Sequence, residues 1–311
     1  MKIVMIGPGA LGTLLATTLA IKSNPKTLLD LWLLDYKPER AKHLNKHGLI
    51  LEKDGQQQSC KINATADPKE IGPADIIILC VKYQDVAVGL QLAAKLTHSE
   101  SLLITLQNGI GHLELLKTKE MSPAIVLGVT ALGANLVSPG HVRYAGSGLT
   151  RIGFLKSASF ARSLLLAKVC NLLNYCGMET AIVDDILDYV WTKLLINVGI
   201  NALTAIHRCP NGELLESDDT KSILAAAVKE GEAVARAMGI NLPDDPLTMT
   251  LDVCKKTAHN LSSMLQDIDN KRPTEIDSIN GEIVAAGKKL GIPVPVNGEL
   301  LQRVKDIEKA Y

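Results

Sequence analysis

The sequence predicts an α/β fold in which a doubly wound sheet is followed by an all-α C-terminal domain. Three observations carry this expectation. Short apolar, β-branched runs alternate with helical patterns up to about Val183, the order that builds a sheet covered by helices on both faces. A glycine-rich turn, Gly7-Pro8-Gly9-Ala10-Leu11-Gly12, stands between the first such run and the first helix. From Asp185 onward the apolar spacing is helical and no convincing strand appears. The boundary is therefore placed between 184 and 185, with a sheet domain over 1–184 and a helical domain over 185–311.

Composition narrows the class. A chain of 311 residues, 47% hydrophobic and 21% charged, suits a well-cored globular protein of two domains. Aromatics make up only 3%, so the core must be mostly Leu, Ile, Val and Ala. Basic and acidic residues balance at 33 each, which gives no basic excess to favour nucleic acid. Cys60, Cys80, Cys170, Cys176, Cys209 and Cys254 form no CxxC pair and no cluster of zinc spacing. Reduced thiols, a cytoplasmic location and no metal are expected. Glycines interrupt the apolar N-terminus, which reads as a strand rather than a signal peptide. No uninterrupted apolar segment of membrane-spanning length is apparent, so no membrane association is expected.

Lys2 to Ile6 is the first strand, and the helical pattern TLLATTLAIKS follows the glycines. In this setting Gly7 permits a tight turn, Gly9 lets the backbone approach a pyrophosphate, and Gly12 allows close helix–strand packing. The helix start then presents free N–H groups to phosphates. This is the Rossmann-type arrangement for a dinucleotide. The next strand runs from Leu28 to Leu34 and ends at Asp35, about 20 residues on, where an acid can bind ribose hydroxyls. A carboxylate there favours NAD, whereas Lys37 and Arg40 could clamp the 2′-phosphate of NADP.

Leu49 to Asn63 alternates around Asp54-Gly55, a hairpin signal. Ala74 to Val81 is a buried strand with Lys82 at its carboxyl end, either a phosphate contact or a solvated loop lysine. A helix over Val86–Leu96 and a strand over Leu102–Leu106 follow. Asn108 lies just beyond, either touching nicotinamide and substrate or serving as the turn residue of Asn-Gly. Ile125 to Thr130 is a strand. After it, the small residues Gly133-Ala134-Asn135 would let the backbone lie near a cofactor. HVRYAG and GLTRIGF read as hairpin strands that finish the sheet. A helix from Ser159 to Cys176 and a strand at Thr180–Val183 close this half.

The second half opens with a helix over Ile186–Thr204. It sets Lys193, Asn197 and Asn201 at i, i+4 and i+8, on one face. Trp191, Leu194, Leu195, Ile196, Val198 and Ile200 surround them. An amine and two amides in such a helix are costly unless satisfied, and asparagine is a poor helix former. Either Lys193 snorkels to water, or the row holds a small, oxygen-rich molecule. Further helices are expected over Ser222–Met238, Thr248–Asp269, Glu275–Leu290 and Gly298–Ala310. Asn260, Ser262 and Ser263 would lie mid-helix, facing water or a ligand. Pro273 suits the first helical position, and Glu275 the first turn, pairing with the helix dipole or with a ligand. Asn211-Gly212 is a turn signal, and His207 and Cys209 are read as structural.

Four segments now combine: GPGALG at 7–12, LQNGIG at 106–111, KLLINVGINALTAIHRCPNGEL at 193–214 and NLSSMLQDIDNKRPTEIDSINGEI at 260–283. Through them the chain resembles the 2-dehydropantoate 2-reductase (ketopantoate reductase) family over essentially its whole length. The resemblance implies an NADPH-dependent reduction of 2-dehydropantoate to pantoate, in pantothenate and coenzyme A biosynthesis. It implies that Lys193 donates a proton to the substrate carbonyl oxygen. Asn197, Asn201, Asn211 and Ser263 would hold the hydroxyl and carboxylate side, with Asn260 beside them. Asn108 would be shared between substrate and cofactor, and Glu275 would bind the nicotinamide end. Ala134 would make a backbone cofactor contact, Lys82 would lie near the adenosine phosphate, and Gly7, Pro8, Gly9, Ala10, Leu11 and Gly12 would form the phosphate loop. NADP(H) follows from the resemblance; NAD(H) is suggested by Asp35, where many NADPH-using members carry a basic residue. Two other readings stay open: a reductase of another 2-oxo acid, and a non-catalytic nucleotide-binding sensor. The Lys193 row argues against the sensor, which has no need of a proton donor. The Ala- and Leu-rich helical domain could support a homodimer.

Overall fold

The computed structural model describes residues 1–22, 29–118 and 123–311 of the chain, and no side chains at 117 and 118. Leu28, the expected start of the second strand, and Ser23, the expected end of the first helix, lie outside the described residues. The chain divides into two compact units. One comprises Met1–Gln107 with Leu115–Ile186, the other Asn108–Glu114 with Leu187–Tyr311.

The first unit holds twelve strands among the described residues: β1 (Lys2–Ile6), β2 (Asp30–Leu34), β3 (Leu49–Lys53), β4 (Gln56–Cys60), β5 (Asn63–Thr65), β6 (Ile76–Leu79), β7 (Leu102–Thr105), β8 (Ala124–Val129), β9 (Gly133–Ser138), β10 (His141–Gly146), β11 (Thr150–Phe154) and β12 (Thr180–Ile182). Eight form one sheet in the order β12-β11-β8-β7-β6-β1-β2-β5. From β8 to β5 the pairings are parallel, and β11 joins β8 antiparallel. The strand order reverses between β1 and β6, and the crevice outside the carboxyl ends of the strands at such a point is where open α/β sheets take ligands. β6 and β7 are buried at every position, IIIL and LLIT, as strands covered on both faces must be.

A second sheet has the order β4-β3-β10-β9. Asp54 (φ 51°) and Gly55 (φ 75°) make the two-residue turn between β3 and β4, the left-handed conformation that hairpin turns demand. The Ala10–Lys22 helix packs against β1 and β2 of the large sheet and against all four strands of the small one. This explains why the helix is apolar nearly all round, with Thr13, Leu14, Leu15, Ala16, Thr17 and Leu19 buried.

Here the structure corrects the sequence reading. HVRYAG and TRIGF are not partners in one hairpin: β10 pairs with β3 and β9 in the small sheet, and β11 pairs with β8 and β12 in the large one. Alternation reports that one face of a strand is covered; it does not report which neighbour covers it.

The second unit is helical. Its central element, Ile186–His207, is joined by Asp218–Ala237, Pro246–Lys256, Ser263–Asp269, Glu282–Leu290 and Pro295–Glu308. Glycines let neighbours close in. A Cβ at Gly199 would lie 2.8 Å from Val228 Cγ2 and 2.9 Å from Thr250 Cγ2, and one at Gly231 would lie 2.5 Å from Leu195 Cδ2. By length and hydropathy Ile186–His207 meets the criterion for crossing a membrane, although Asp188 and Lys193 interrupt its apolar run. However, 72% of its most apolar window is buried within the protein, as in a core helix.

Two expected helices are broken. The pattern over Thr248–Asp269 is two helices, because Ser262 is not mid-helix. Its Oγ accepts from Leu265 N at 3.0 Å and caps the second helix, the competition for backbone that disfavours serine in helix interiors. The pattern over Glu275–Leu290 starts with a π-helical turn, Asp277–Gly281, before the regular helix from Glu282. Pro273 precedes that turn and is not its first helical residue.

Candidate active site

In the first unit the glycine turn leads from β1 into the Ala10–Lys22 helix. Gly7 has φ 92°, and a Cβ there would sit 2.6 Å from Val81 Cγ1. At Gly12 a Cβ would lie 2.2 Å from the Gly7 carbonyl oxygen and 3.1 Å from Cys80 Cβ. Neither position tolerates a side chain without backbone movement. Gly9 differs: the nearest atom to its Cβ position is 3.9 Å away, leaving room above the turn. With the helix N–H groups at Ala10, Leu11 and Gly12 following it, this cradle fits the diphosphate of a dinucleotide. Pro8 lies within the turn, and Lys82 follows β6 and leads into the Tyr83–Asp85 turn.

Asp35, at the carboxyl end of β2, is buried. Its carboxylate accepts from Arg40 Nε and Nη2, the latter at 2.8 Å, and from Lys37 N at 3.1 Å. The carboxylate raises the pKa of Arg40 above its ordinary value by hydrogen bonding, against desolvation. Asp35 and Arg40, which pull opposite ways on cofactor choice in the sequence, are thus one ion pair. Ala134 lies in β9, opposite Tyr144 of β10, so it belongs to the small sheet.

In the second unit three side chains from distant stretches meet. Lys193 Nζ donates to Asn108 Oδ1 at 2.8 Å, and Asn108 Nδ2 donates to Glu275 Oε2 at 3.1 Å. The amide has one orientation that serves both partners, with its oxygen toward the ammonium and its nitrogen toward the carboxylate. Glu275 is 9% exposed. Protein crowding around the Lys193 ammonium pulls its pKa from 10.5 down to about 8 by desolvation, while the Glu275 carboxylate acts in the opposite sense. A lysine with a pKa near neutrality is a competent proton donor.

Asn197 and Asn201 follow Lys193 on the same helix. Asn197 is partly buried and Asn201 is 6% exposed, and neither side-chain amide has a hydrogen-bond partner among the described residues. Asn211 is buried; its Nδ2 donates to Thr257 Oγ1 at 2.8 Å, and its Oδ1 has no partner among the described residues. Asn260 and Ser263 are exposed. Asn260 touches this region through its backbone, its carbonyl accepting from Asn211 N at 3.0 Å. The serine that faces inward is Ser262, 2.7 Å from Thr204 Oγ1 on the Ile186–His207 helix. Thr204 and Thr257 escaped the sequence reading; a threonine bonded back to a helix carbonyl has no distinguishing pattern. The signal for Ser262 was present, as the first serine of a pair ahead of an apolar turn.

Comparison with known proteins gives the family. Residues 3–157 match the family signature described as ketopantoate reductase PanE/ApbA, and residues 185–308 match its C-terminal counterpart. A 2-dehydropantoate 2-reductase of Halobacterium salinarum is 33% identical over 306 residues, covering 98% of each chain. The chain belongs to the ketopantoate reductase family. Among solved structures, a PanE/ApbA family ketopantoate reductase from Ralstonia eutropha matches with a TM-score of 0.88 at 29% identity, covering 100% of this chain and 99% of that one. A D-mandelate dehydrogenase solved with NADH and anilino(oxo)acetate also gives 0.88, at 27% identity and the same coverage. Ketopantoate reductases are NAD(P)-dependent oxidoreductases that act on small keto acids, and this member has their two-part fold.

Proposed function

We propose that the chain reduces the C2 ketone of 2-dehydropantoate to the alcohol of pantoate, with Lys193 as the proton donor. The observation that carries the reading is the hydrogen-bonded row Lys193–Asn108–Glu275, with a lysine of lowered pKa at its end. The glycine turn and the start of the helix after it would hold a reduced nicotinamide cofactor, which would supply the hydride. As negative charge develops on the carbonyl oxygen, the Lys193 ammonium stabilises it and then protonates it. Asn108 holds the ammonium in one direction, so less orientation is lost at the moment of transfer. Asn197 and Asn201, whose amides have no hydrogen-bond partner among the described residues, are available to the substrate's hydroxyl and carboxylate.

The pH dependence follows. Lys193 acts as an acid, so it must be charged, and its pKa is about 8. The rate of ketone reduction at low substrate is expected to be level below about pH 8 and to fall about tenfold per unit above it. The reverse oxidation, which needs the neutral amine, should rise over the same range. An alkaline limb near 10 or above in the forward direction would remove Lys193 from the role. The likeness to a D-mandelate dehydrogenase favours a second reading, reduction of a bulkier 2-oxo acid. Initial rates on 2-dehydropantoate and on phenylglyoxylate decide between them. Cofactor binding without turnover on either would point instead to a sensor.

For the cofactor we propose that NADH is used at least as well as NADPH, although the sequence resemblance points to NADPH. Arg40, the best candidate for clamping a 2′-phosphate, is already neutralised by Asp35. A phosphate placed there meets a buried carboxylate and no spare guanidinium charge. Asp35→Asn, which removes the charge and releases Arg40, should move the NADPH/NADH ratio of kcat/KM toward NADPH by about tenfold, the equivalent of one modest ionic contact. A wild-type enzyme that strongly prefers NADPH, unchanged by Asp35→Asn, would overturn this.

A further inference from the structure

Asn108, Lys193 and Glu275 come from stretches 85 and 167 residues apart. One short turn touches all three stretches. Asp277–Gly281 is π-helical: Gly281 N donates to the Ile276 carbonyl, five residues back, at 3.0 Å. Such turns re-aim backbone groups that a regular helix would spend on itself, and they recur at functional sites.

The first contact is with the Asn108 loop. The Ser278 carbonyl accepts from Ile110 N at 3.1 Å. Gly109, with φ 76°, lies flat against the same carbonyl, and a Cβ there would be 2.1 Å from Ser278 O. The second contact is with Glu275 itself. Its carbonyl accepts from Ser278 N, Ile279 N and Ser278 Oγ, each at 3.1 Å. The backbone of Glu275 therefore cannot turn independently of the π turn. The third contact is with the helix that carries Lys193. Asn280, fully buried, places Nδ2 3.5 Å from the Val198 carbonyl and 3.0 Å from Asn297 Oδ1. Asn297 in turn donates to the Ala227 carbonyl at 3.0 Å and to Glu230 Oε2 at 2.9 Å. Asn280 Oδ1 is buried and has no hydrogen-bond partner among the described residues.

We infer that the Asp277–Gly281 turn is a positioning element that sets Asn108 and Glu275 against Lys193, with Gly109, Ser278 and Asn280 as its positioning residues. The inference rests on the reading of Lys193 as proton donor. It gives a reason for a π turn at this point in the chain. The Ser278 carbonyl of this turn is the group on which the Asn108 loop docks.

Gly109→Ala forces the loop off the Ser278 carbonyl, and Ser278→Ala removes one tie to Glu275 while leaving that carbonyl in place. Gly281→Ala is the control in the same turn, since its Cβ would meet Ile276 O at 3.5 Å and Asp277 at 3.7 Å, ordinary contact distances. Full-length variants that unfold thermally like the parent are compared for kcat, KM and pH profile on 2-dehydropantoate, alongside Lys193→Ala. Gly109→Ala should lose about 10²-fold in kcat, the scale of a small misplacement. Its alkaline limb should shift to lower pH, because Glu275 is what holds the Lys193 pKa up. Ser278→Ala should move both readouts the same way by less, and it tests the inference if Gly109→Ala does not fold. Gly281→Ala should match the parent. Parental kcat and limb in both Gly109→Ala and Ser278→Ala, or equal losses in Gly281→Ala, would overturn the inference. If Lys193→Ala is inactive while those variants are normal, only the positioning role fails. Near-parental turnover in Lys193→Ala would instead defeat the reading of the site itself.

Discussion

Lys193→Ala is expected to reduce 2-dehydropantoate about 10²–10⁴-fold more slowly than the parent, the usual consequence of losing a general acid. The loss should fall on kcat more than on substrate KM, because the ammonium meets its strongest demand when charge builds on the carbonyl oxygen. The same change should not weaken the fold. Lys193 has a folded-state pKa of about 8 against an ordinary value of 10.5. Below pH 8 the folded protein carries a desolvated ammonium that the unfolded chain would leave in water. That cost is fully present below about pH 8 and is relieved as pH rises from there toward 10.5. A neutral side chain at 193 removes it at any pH. Replacement by methionine, of similar length, should therefore give an enzyme that is nearly inactive yet at least as resistant to urea at pH 7 as the parent, a trade common at active sites. Steady-state rates and urea midpoints on the two variants check both halves. An inactive Lys193→Met protein that is also markedly less stable would show that the amine supports the fold.

Trp191→Ala should cost about 3–5 kcal/mol of stability, the range for emptying a large aromatic from a core. Trp191 is 2% exposed and is the largest fully buried side chain among the described residues. It precedes Lys193 by two positions on a helix whose buried neighbours Leu194, Leu195 and Val198 are all smaller. In a chain with 3% aromatics, few side chains of that volume are available to fill the space. The urea midpoint of the helical unit is the readout. A change under about 1 kcal/mol would mean that the site collapses around the missing ring. Trp191→Phe should recover much of the loss, since it restores most of the volume.

Much of the architecture was legible before any coordinates. The glycine turn announced itself because two of its three glycines answer to short-range steric demands, φ 92° at Gly7 and a 2.2 Å approach to Gly7 O at Gly12. The buried strands β6 and β7 were read from unbroken apolar runs, and the Asp54-Gly55 turn from its dipeptide. Lys193, Asn197 and Asn201 fell into register because helical period alone aligns them. Errors clustered where a side chain competes with the backbone, as Ser262 does in ending one helix and capping the next, or where a strand has two possible neighbours, as β10 has.

Local sequence, then, determined the period of each element, the turn chemistry and the row of polar groups on one helix. Those depend on residues a few positions apart. Tertiary structure alone decided that Asn108 leaves the sheet-bearing unit to join Lys193, that Glu275 turns inward, and that Asp35 and Arg40 are spent on each other. The first two depend on contacts spanning 85 and 167 residues, and such contacts leave no periodic trace in the chain. The third is close in sequence, yet an acid and a base five positions apart can pair or diverge equally well. Burial of the carboxylate is what commits them to pairing, because an isolated charge there would be too costly.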